Sequence, residues 1–188
     1  MEPAAQNQSN SLARYVASVR AAWGDGKDPE LPFRIKPLLE NLLRQTSADE
    51  RWLARLIAEG KQAEELYRDP DYGFIQMGHN QPAGHRNAPH DHGPCWVLYG
   101  VYRGKIEITT YRRADGGAGA GQAAIEKKDL HALTPGVVYA YLPGDIHSTF
   151  APEPAVVFRF LSYDLNKVDR YRYDIEKGTV SLVRPAAS

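Results

Sequence analysis

A single cysteine, Cys95, stands in 188 residues, so no intrachain disulfide can tie this chain together. A reducing compartment is the simpler expectation. No stretch approaches the roughly 18 consecutive apolar residues that span a bilayer. The polar start, residues 1–10, has neither the basic region nor the apolar core of a secretory signal. These absences set a cytoplasmic location, with no membrane partner, as the expectation. Neither sign of charge is in excess, with 23 Lys plus Arg against 23 Asp plus Glu. That balance removes the usual footprint of a nucleic-acid binder. The Gly/Ala-rich segment 114–121 ends without Lys-Ser/Thr, so it does not match a phosphate-binding loop and reads as a flexible surface loop.

What is present is ordinary in amount and uneven in layout. The apolar share is 43% and the charged share 24%, typical of a globular chain, and this length suits one domain that buries roughly 70% of its unfolded surface. Leu12, Tyr15, Val16, Val19 and Trp23 recur at three and four residues, the signature of one helix face. Leu38, Leu39, Leu42 and Leu43 mark a second face, and Trp52, Leu53, Leu56 and Ile57 a third. Ser47 followed by Glu50 reads as a capping box for the third helix. After Asp69-Pro70-Asp71-Tyr72-Gly73 the texture becomes short β-rich runs, at 74–77, 94–102, 105–112, 137–142 and 156–162. Such runs between turn residues predict a sandwich or barrel. Tyr102-Arg103-Gly104-Lys105 reads as a tight hairpin. The division expected is a helical extension over 1–66 and a β-barrel over 67–188.

Six histidines are present, four of them between His79 and His92. In His90-Asp91-His92, extended backbone points both imidazoles to one face and Asp91 away. Such a pair serves as a chelate for Zn, Fe, Cu or Ni, and equally as a surface pair or a hydrogen-bonded core pair. Pro143-Gly144-Asp145-Ile146-His147 is a turn delivering a further histidine 55 residues after His92, which leaves room for several strands between them. Asp91 and Asp145 are candidates for orienting the imidazoles. His79 and His85 flank a loop and read as surface or loop-stabilising, and His131 as structural.

The segment from Gly84 to His90-Asp91-His92 resembles the first cupin motif, and Gly144-Asp145-Ile146-His147 the second. Together with Cys95-Trp96 and Arg103-Gly104, they are most similar to the cysteine dioxygenase and 3-mercaptopropionate dioxygenase branch, over about residues 60–178. The resemblance implies a mainly β chain, a single cupin jelly-roll (double-stranded β-helix) barrel behind an N-terminal α-helical extension. It implies a metal held by His90, His92 and His147, with Fe(II) first and Zn, Ni or Mn as alternatives. O₂ and a small carboxylate- or thiol-bearing substrate follow as the small-molecule partners, and a homodimer as the assembly common among cupins.

This chain departs from that branch at two places. The glutamate that many cupins carry four residues after the second histidine is Trp96 here, which reads as an apolar pocket wall or as ordinary core. The Ser-x-His-x-Tyr pattern of thiol dioxygenases falls on Val157, Arg159 and Leu161, and none matches. By alternation Arg159 shares an inward face with Leu161 and Tyr163. An arginine there needs a ligand anion or an internal acid such as Asp145 or Glu107. Arg159 and Tyr163 are therefore the expected catalytic residues, with Trp96, Tyr139 and Tyr141 lining the substrate pocket. A non-redox enzyme and a metal-containing binding protein without turnover are the rival readings.

Overall fold

Asn10 opens helix α1 (Ser11–Trp23) by accepting the Ala13 N–H on its Oδ1 at 2.8 Å, which satisfies one of the free donors at a helix start. Helix α2 (Leu31–Gln45) carries Pro32 in its first turn, where a missing N–H costs nothing. Helix α3 (Arg51–Glu59) begins at Glu50 rather than Ser47, so the expected capping box does not form. The Glu50 carboxylate instead accepts from the Ser11 N–H (3.0 Å), Ser11 Oγ (2.8 Å) and Trp52 Nε1 (2.9 Å), pinning α3 to the start of α1. The computed structural model describes residues 10–117 and 119–185. The polar start read in the sequence lies outside these apart from Asn10, as does Ala118 of the Gly/Ala-rich segment. Among the described residues no helix is long and apolar enough to cross a membrane.

The remainder is β. The strands are β1 (Glu64–Arg68), β2 (Ile75–Gln81), β3 (Arg86–His90), β4 (Val97–Arg103), β5 (Ile106–Arg113) and β6 (Gly121–Gln122). They continue with β7 (Ile125–Leu133), β8 (Val138–Tyr141), β9 (Ile146–Phe150), β10 (Ala155–Leu161), β11 (Arg170–Asp174) and β12 (Thr179–Val183). One sheet runs β1-β2-β10-β4-β8 and the other β6-β12-β11-β3-β9-β5-β7. Every named strand pairing is antiparallel, and the sheets curl into a half-barrel. The chain is thus mainly β with three N-terminal helices, as its texture predicts.

The sequence expectation of a hairpin at 102–105 needs correcting. Strand β4 bonds to β10 and β8, whereas β5 bonds to β7 and β9. The turn is therefore a corner where the chain leaves one sheet for the other. Gly104 sits there at φ +78°, and a Cβ on it would lie 2.2 Å from the Pro154 carbonyl oxygen. A turn residue signals a reversal; it does not say whether the strands beyond it pair.

Strand β10 shows how the two cores form. Val156, Phe158 and Phe160 alternate toward the helices, where they join Val19, Trp23, Leu39, Leu53 and Trp96. Ala155, Val157 and Leu161 face the interior between the sheets, with Ile75, Val97, Val101, Ile106, Ile108 and Leu133. A strand buried on both faces reads as a continuous apolar run, and Ala-Val-Val-Phe-Arg-Phe-Leu is one, broken only by Arg159. That arginine pairs in register with Tyr99 and Met77, on the interior face.

Candidate metal centre

Register brings two of the imidazoles together. On the β3–β9 ladder His90 is the direct partner of His147, and side chains directly opposite on one face start about 5 Å apart at Cβ. Their ring centroids are 4.9 Å apart. His92 arrives from the turn beyond β3, its centroid 5.0 Å from His90 and 4.9 Å from His147. One nitrogen from each of the three rings lies within 4.8 Å of the other two. Metal–imidazole bonds are about 2.0–2.1 Å, so one ion between them is within reach of small side-chain rotations.

Asp91 holds this arrangement from behind. Its Oδ1 accepts from the Gly93 N–H and the Tyr171 N–H, each at 3.0 Å, and its Oδ2 from the Tyr173 hydroxyl at 3.3 Å. The Asp91 N–H in turn donates to the Tyr171 carbonyl at 3.1 Å. The side chain is 4% exposed, so these contacts fix the turn between the two histidines to β11. Asp91 thus points away from the rings and orients them through the backbone. Asp145 does neither: its Oδ2 accepts the Leu142 N–H at 2.7 Å and closes the turn before β9.

The donor atoms are in the state a metal needs. Nδ1 of His90 lies 2.8 Å from the Ala88 carbonyl. A carbonyl accepts only, so that nitrogen carries the proton and Nε2 keeps its lone pair. Nε2 of His92 and both ring nitrogens of His147 are buried without a hydrogen-bond partner. Unpartnered buried polar atoms are costly and uncommon in native proteins, and three of them sit in one cluster. Burial holds all three imidazoles below the ordinary histidine pKa; Arg159 adds to the effect at each, and the neighbouring rings add to it at His92 and His147. They are neutral near pH 7, the form that ligates a metal. The residues therefore fit a divalent ion of the imidazole-loving kind, and among the described residues no carboxylate or thiol joins the group. Cys95 lies in the interior apolar core, its thiol pKa raised by burial.

The other residues singled out in the sequence separate into those beside the rings and those that are not. Tyr141 is beside them: its ring centroid is 4.4 Å from that of His147, and its hydroxyl is buried without a partner. Arg159 is there as well, lining a cavity of about 220 Å³ with His90 and His92. Its Nε is buried and unpartnered, and neither expected internal acid meets it, because Glu107 pairs with Lys105 and Asp145 caps its turn. Tyr139 shares the Tyr141 face but lies toward the rim, 37% exposed, its centroid 4.4 Å from that of His131.

Two expectations are overturned by placement. Trp96 is no wall of this pocket; it stacks on Phe160 with centroids 5.2 Å apart, in the core under the helices. Alternation carries Val97 and Tyr99 inward, which turns the residue before them outward. Tyr163 lies beyond the end of β10, 44% exposed, with its ring over Gly73. The strand stops at Leu161, so the alternation that placed it inward no longer applies. Tyr99 joins the site as well, although no motif in the sequence marks it. Its ring centroid is 5.4 Å from that of His147 and 6.3 Å from that of His92, and the Val-x-Tyr-x-Val alternation of β4 was the signal for it.

No protein-family model matches the chain, and a search of curated proteins found no match. Solved structures similar to it include a cupin superfamily protein from Desulfitobacterium hafniense, at 13% identity over 54% of this chain and 76% of that one, with a TM-score of 0.41. KdgF from Halomonas sp. is 20% identical over 58% of this chain and 86% of that one, with a TM-score of 0.41. Hydroquinone 1,2-dioxygenase PnpCD, in complex with Cd²⁺ and 4-hydroxybenzonitrile, is 10% identical over 53% of this chain and 63% of that one, with a TM-score of 0.43.

Proposed function

We propose that this chain is a cupin-type metalloenzyme that oxidises a small carboxylate- or thiol-bearing molecule with O₂ at His90, His92 and His147, with Fe(II) as its metal. The observation that carries the reading is the buried cluster of three neutral imidazoles with unpartnered nitrogens, set beside an interior arginine that has no acid partner. Three protein ligands leave coordination positions open for small molecules, as a reactive centre requires. Iron(II) bound there supplies the one-electron chemistry that activation of O₂ needs.

The protein's own contribution is orientation and exclusion of water. Arg159 offers a planar fork of donors that matches a carboxylate, and fixing that group aims the rest of the molecule at the histidines. The Tyr141 hydroxyl is the nearby neutral donor for a developing negative charge. Burial raises its pKa far above the usual phenol range, so it keeps its proton and donates. Ile75, Met77 and Leu161 give the pocket an apolar lining, which strengthens polar contacts inside it by excluding solvent.

An all-imidazole donor set also suits Zn(II) in a hydrolytic site, so the metal is the discriminating variable. The test is elemental analysis of the purified protein, followed by O₂-uptake measurements on Fe(II)-loaded and Zn(II)-loaded samples with a panel of thiol and hydroxy acids. Iron-dependent uptake with at least one acid is expected. Product formed without O₂ uptake in the Zn(II)-loaded sample, read by product analysis, would replace this reading by a non-redox one. Tight ligand binding with no turnover under any metal would leave a binding protein.

A further inference from the structure

Beyond Arg159, three more arginines converge on the same end of the barrel. Arg86, Arg159, Arg170 and Arg172 all line a cavity of about 290 Å³ that His90 lines as well. None of the four makes an ion pair with a described residue. Asp91 is the one carboxylate lining the cavity, and its oxygens are occupied by two backbone N–H groups and the Tyr173 hydroxyl. Four guanidiniums against one carboxylate leave this cavity with an excess of positive charge, and the two carboxylates of the adjoining cavity, Glu65 and Asp164, are paired with Arg68.

Their placement is that of a prepared site. Arg86 is clamped with its guanidinium 3.7 Å from the centre of the Phe150 ring, which restricts its rotamers before any ligand arrives. Arg170 has a buried, unpartnered Nε, as Arg159 does. Burial first, and then the neighbouring Arg172 and Arg159, lower the Arg170 pKa, with Asp91 opposing them only in part. Arg172 is the register partner of His90 across β11 and β3, which ties this charged wall to the metal ligands. Unpaired cations held together at a partly enclosed site cost stability, and an anion between them recovers it.

We propose that the ligand of this centre is a small dianion, its second anionic group held by Arg86, Arg170 and Arg172 while Arg159 serves the first. The shared chemistry is two negative charges on a compact molecule, supplied by a dicarboxylate or by a phosphate ester. The inference deepens the metalloenzyme reading and rests on it for the reacting end of the ligand. The anion contacts themselves are read without the metal.

The test is calorimetric titration of the metal-loaded full-length protein at low ionic strength with succinate, inorganic phosphate and acetate. Succinate or phosphate is expected to bind at least tenfold more tightly than acetate, and which of the two wins identifies the source of charge. Arg86→Gln and Arg172→Gln alter exposed side chains. Each is expected to weaken the dianion about tenfold, the scale of one charge-assisted hydrogen bond, with metal content and melting temperature unchanged. Arg112→Gln, on a residue paired with Glu126 elsewhere, leaves binding as it was. Dianions binding no better than acetate, or both cavity variants binding like the parent, would overturn the inference. Intact metal content in that case leaves the metalloenzyme reading standing. Failure to retain any metal while dianions still bind would remove that reading and keep this one.

Discussion

His90 and His147 are register partners on adjacent antiparallel strands, their ring centroids 4.9 Å apart. Two of the three candidate ligands are thus set by the ladder itself, and neither depends on a mobile loop for its position. Only His92 needs separate positioning, and Asp91 supplies it. His147→Ala is therefore expected to abolish stoichiometric metal binding, read by elemental analysis, while the circular-dichroism spectrum stays that of the parent. The fold survives because the deleted ring leaves its backbone partners, Thr110 and His90, in place. Full metal occupancy in this variant would sink the ligand assignment.

Asp91→Ala tests the clamp. It strips acceptors from the Gly93 and Tyr171 N–H groups and from the Tyr173 hydroxyl. An unsatisfied buried donor costs about 1–3 kcal/mol, so denaturant unfolding should show a loss in that range. Metal affinity should fall about 10–100-fold, as when outer supports of a ligand set are removed. Asp91→Asn keeps an acceptor oxygen and should lose clearly less of both. Equal losses in the two variants would mean that charge, and not the hydrogen bonds, holds the turn.

The histidines were legible in the sequence because each sits in a short motif, His-x-His or a turn followed by His, whose local geometry is nearly self-contained. The helices were legible for the same reason, their apolar spacing being local. Strand β3, Arg-Asn-Ala-Pro-His, has no apolar alternation, because its worth lies in its two neighbours β9 and β11. Strand β7 bonds only to β5, and its middle is exposed on both faces, so no periodic burial is written into Ile-Glu-Lys-Lys-Asp-Leu-His-Ala-Leu. Trp96 misled because the Gly93-Pro94 turn resets the alternation before β4 begins. The arginine wall was hidden by arithmetic: a chain with 23 charges of each sign can still gather four cations, Arg86 from β3 and the other three from β10 and β11.

Gly100 gives a stability test of how the helices meet the sheet. A Cβ there would lie 2.5 Å from Leu43 Cδ1 and 2.8 Å from Val138 Cγ2, in a core where both neighbours are buried. Gly100→Ala should cost about 1–3 kcal/mol in denaturant unfolding, the usual range for overpacking. Leu43→Ala alone should cost about 2–5 kcal/mol. Because the two changes fill and empty the same space, the double variant should be more stable than the sum of the single losses predicts. Strict additivity would show that α2 does not press on β4 at this point.

Acid sensitivity has a separate source in His79. Its Nδ1 lies 3.1 Å from the Gln62 carbonyl, and its Nε2 is buried without a partner. Burial, reinforced by Arg159, depresses its pKa to about 3. An unfolded chain takes up that proton near pH 6.5. Above pH 6.5 both states are neutral at this ring and its contribution to stability is fully present. Between pH 6.5 and about 3 the unfolded state holds the extra proton, so stability falls as acid is added. For one group the slope is at most about 1.4 kcal/mol per pH unit. His92 and His147 push the same way, so the parent should lose stability more steeply than one proton allows. His79→Asn is neutral at every pH and should flatten the curve by up to that one-proton slope between pH 6 and 4, measured by urea unfolding of the metal-free protein. Parallel curves for parent and variant would mean that His79 takes up its proton equally in both states.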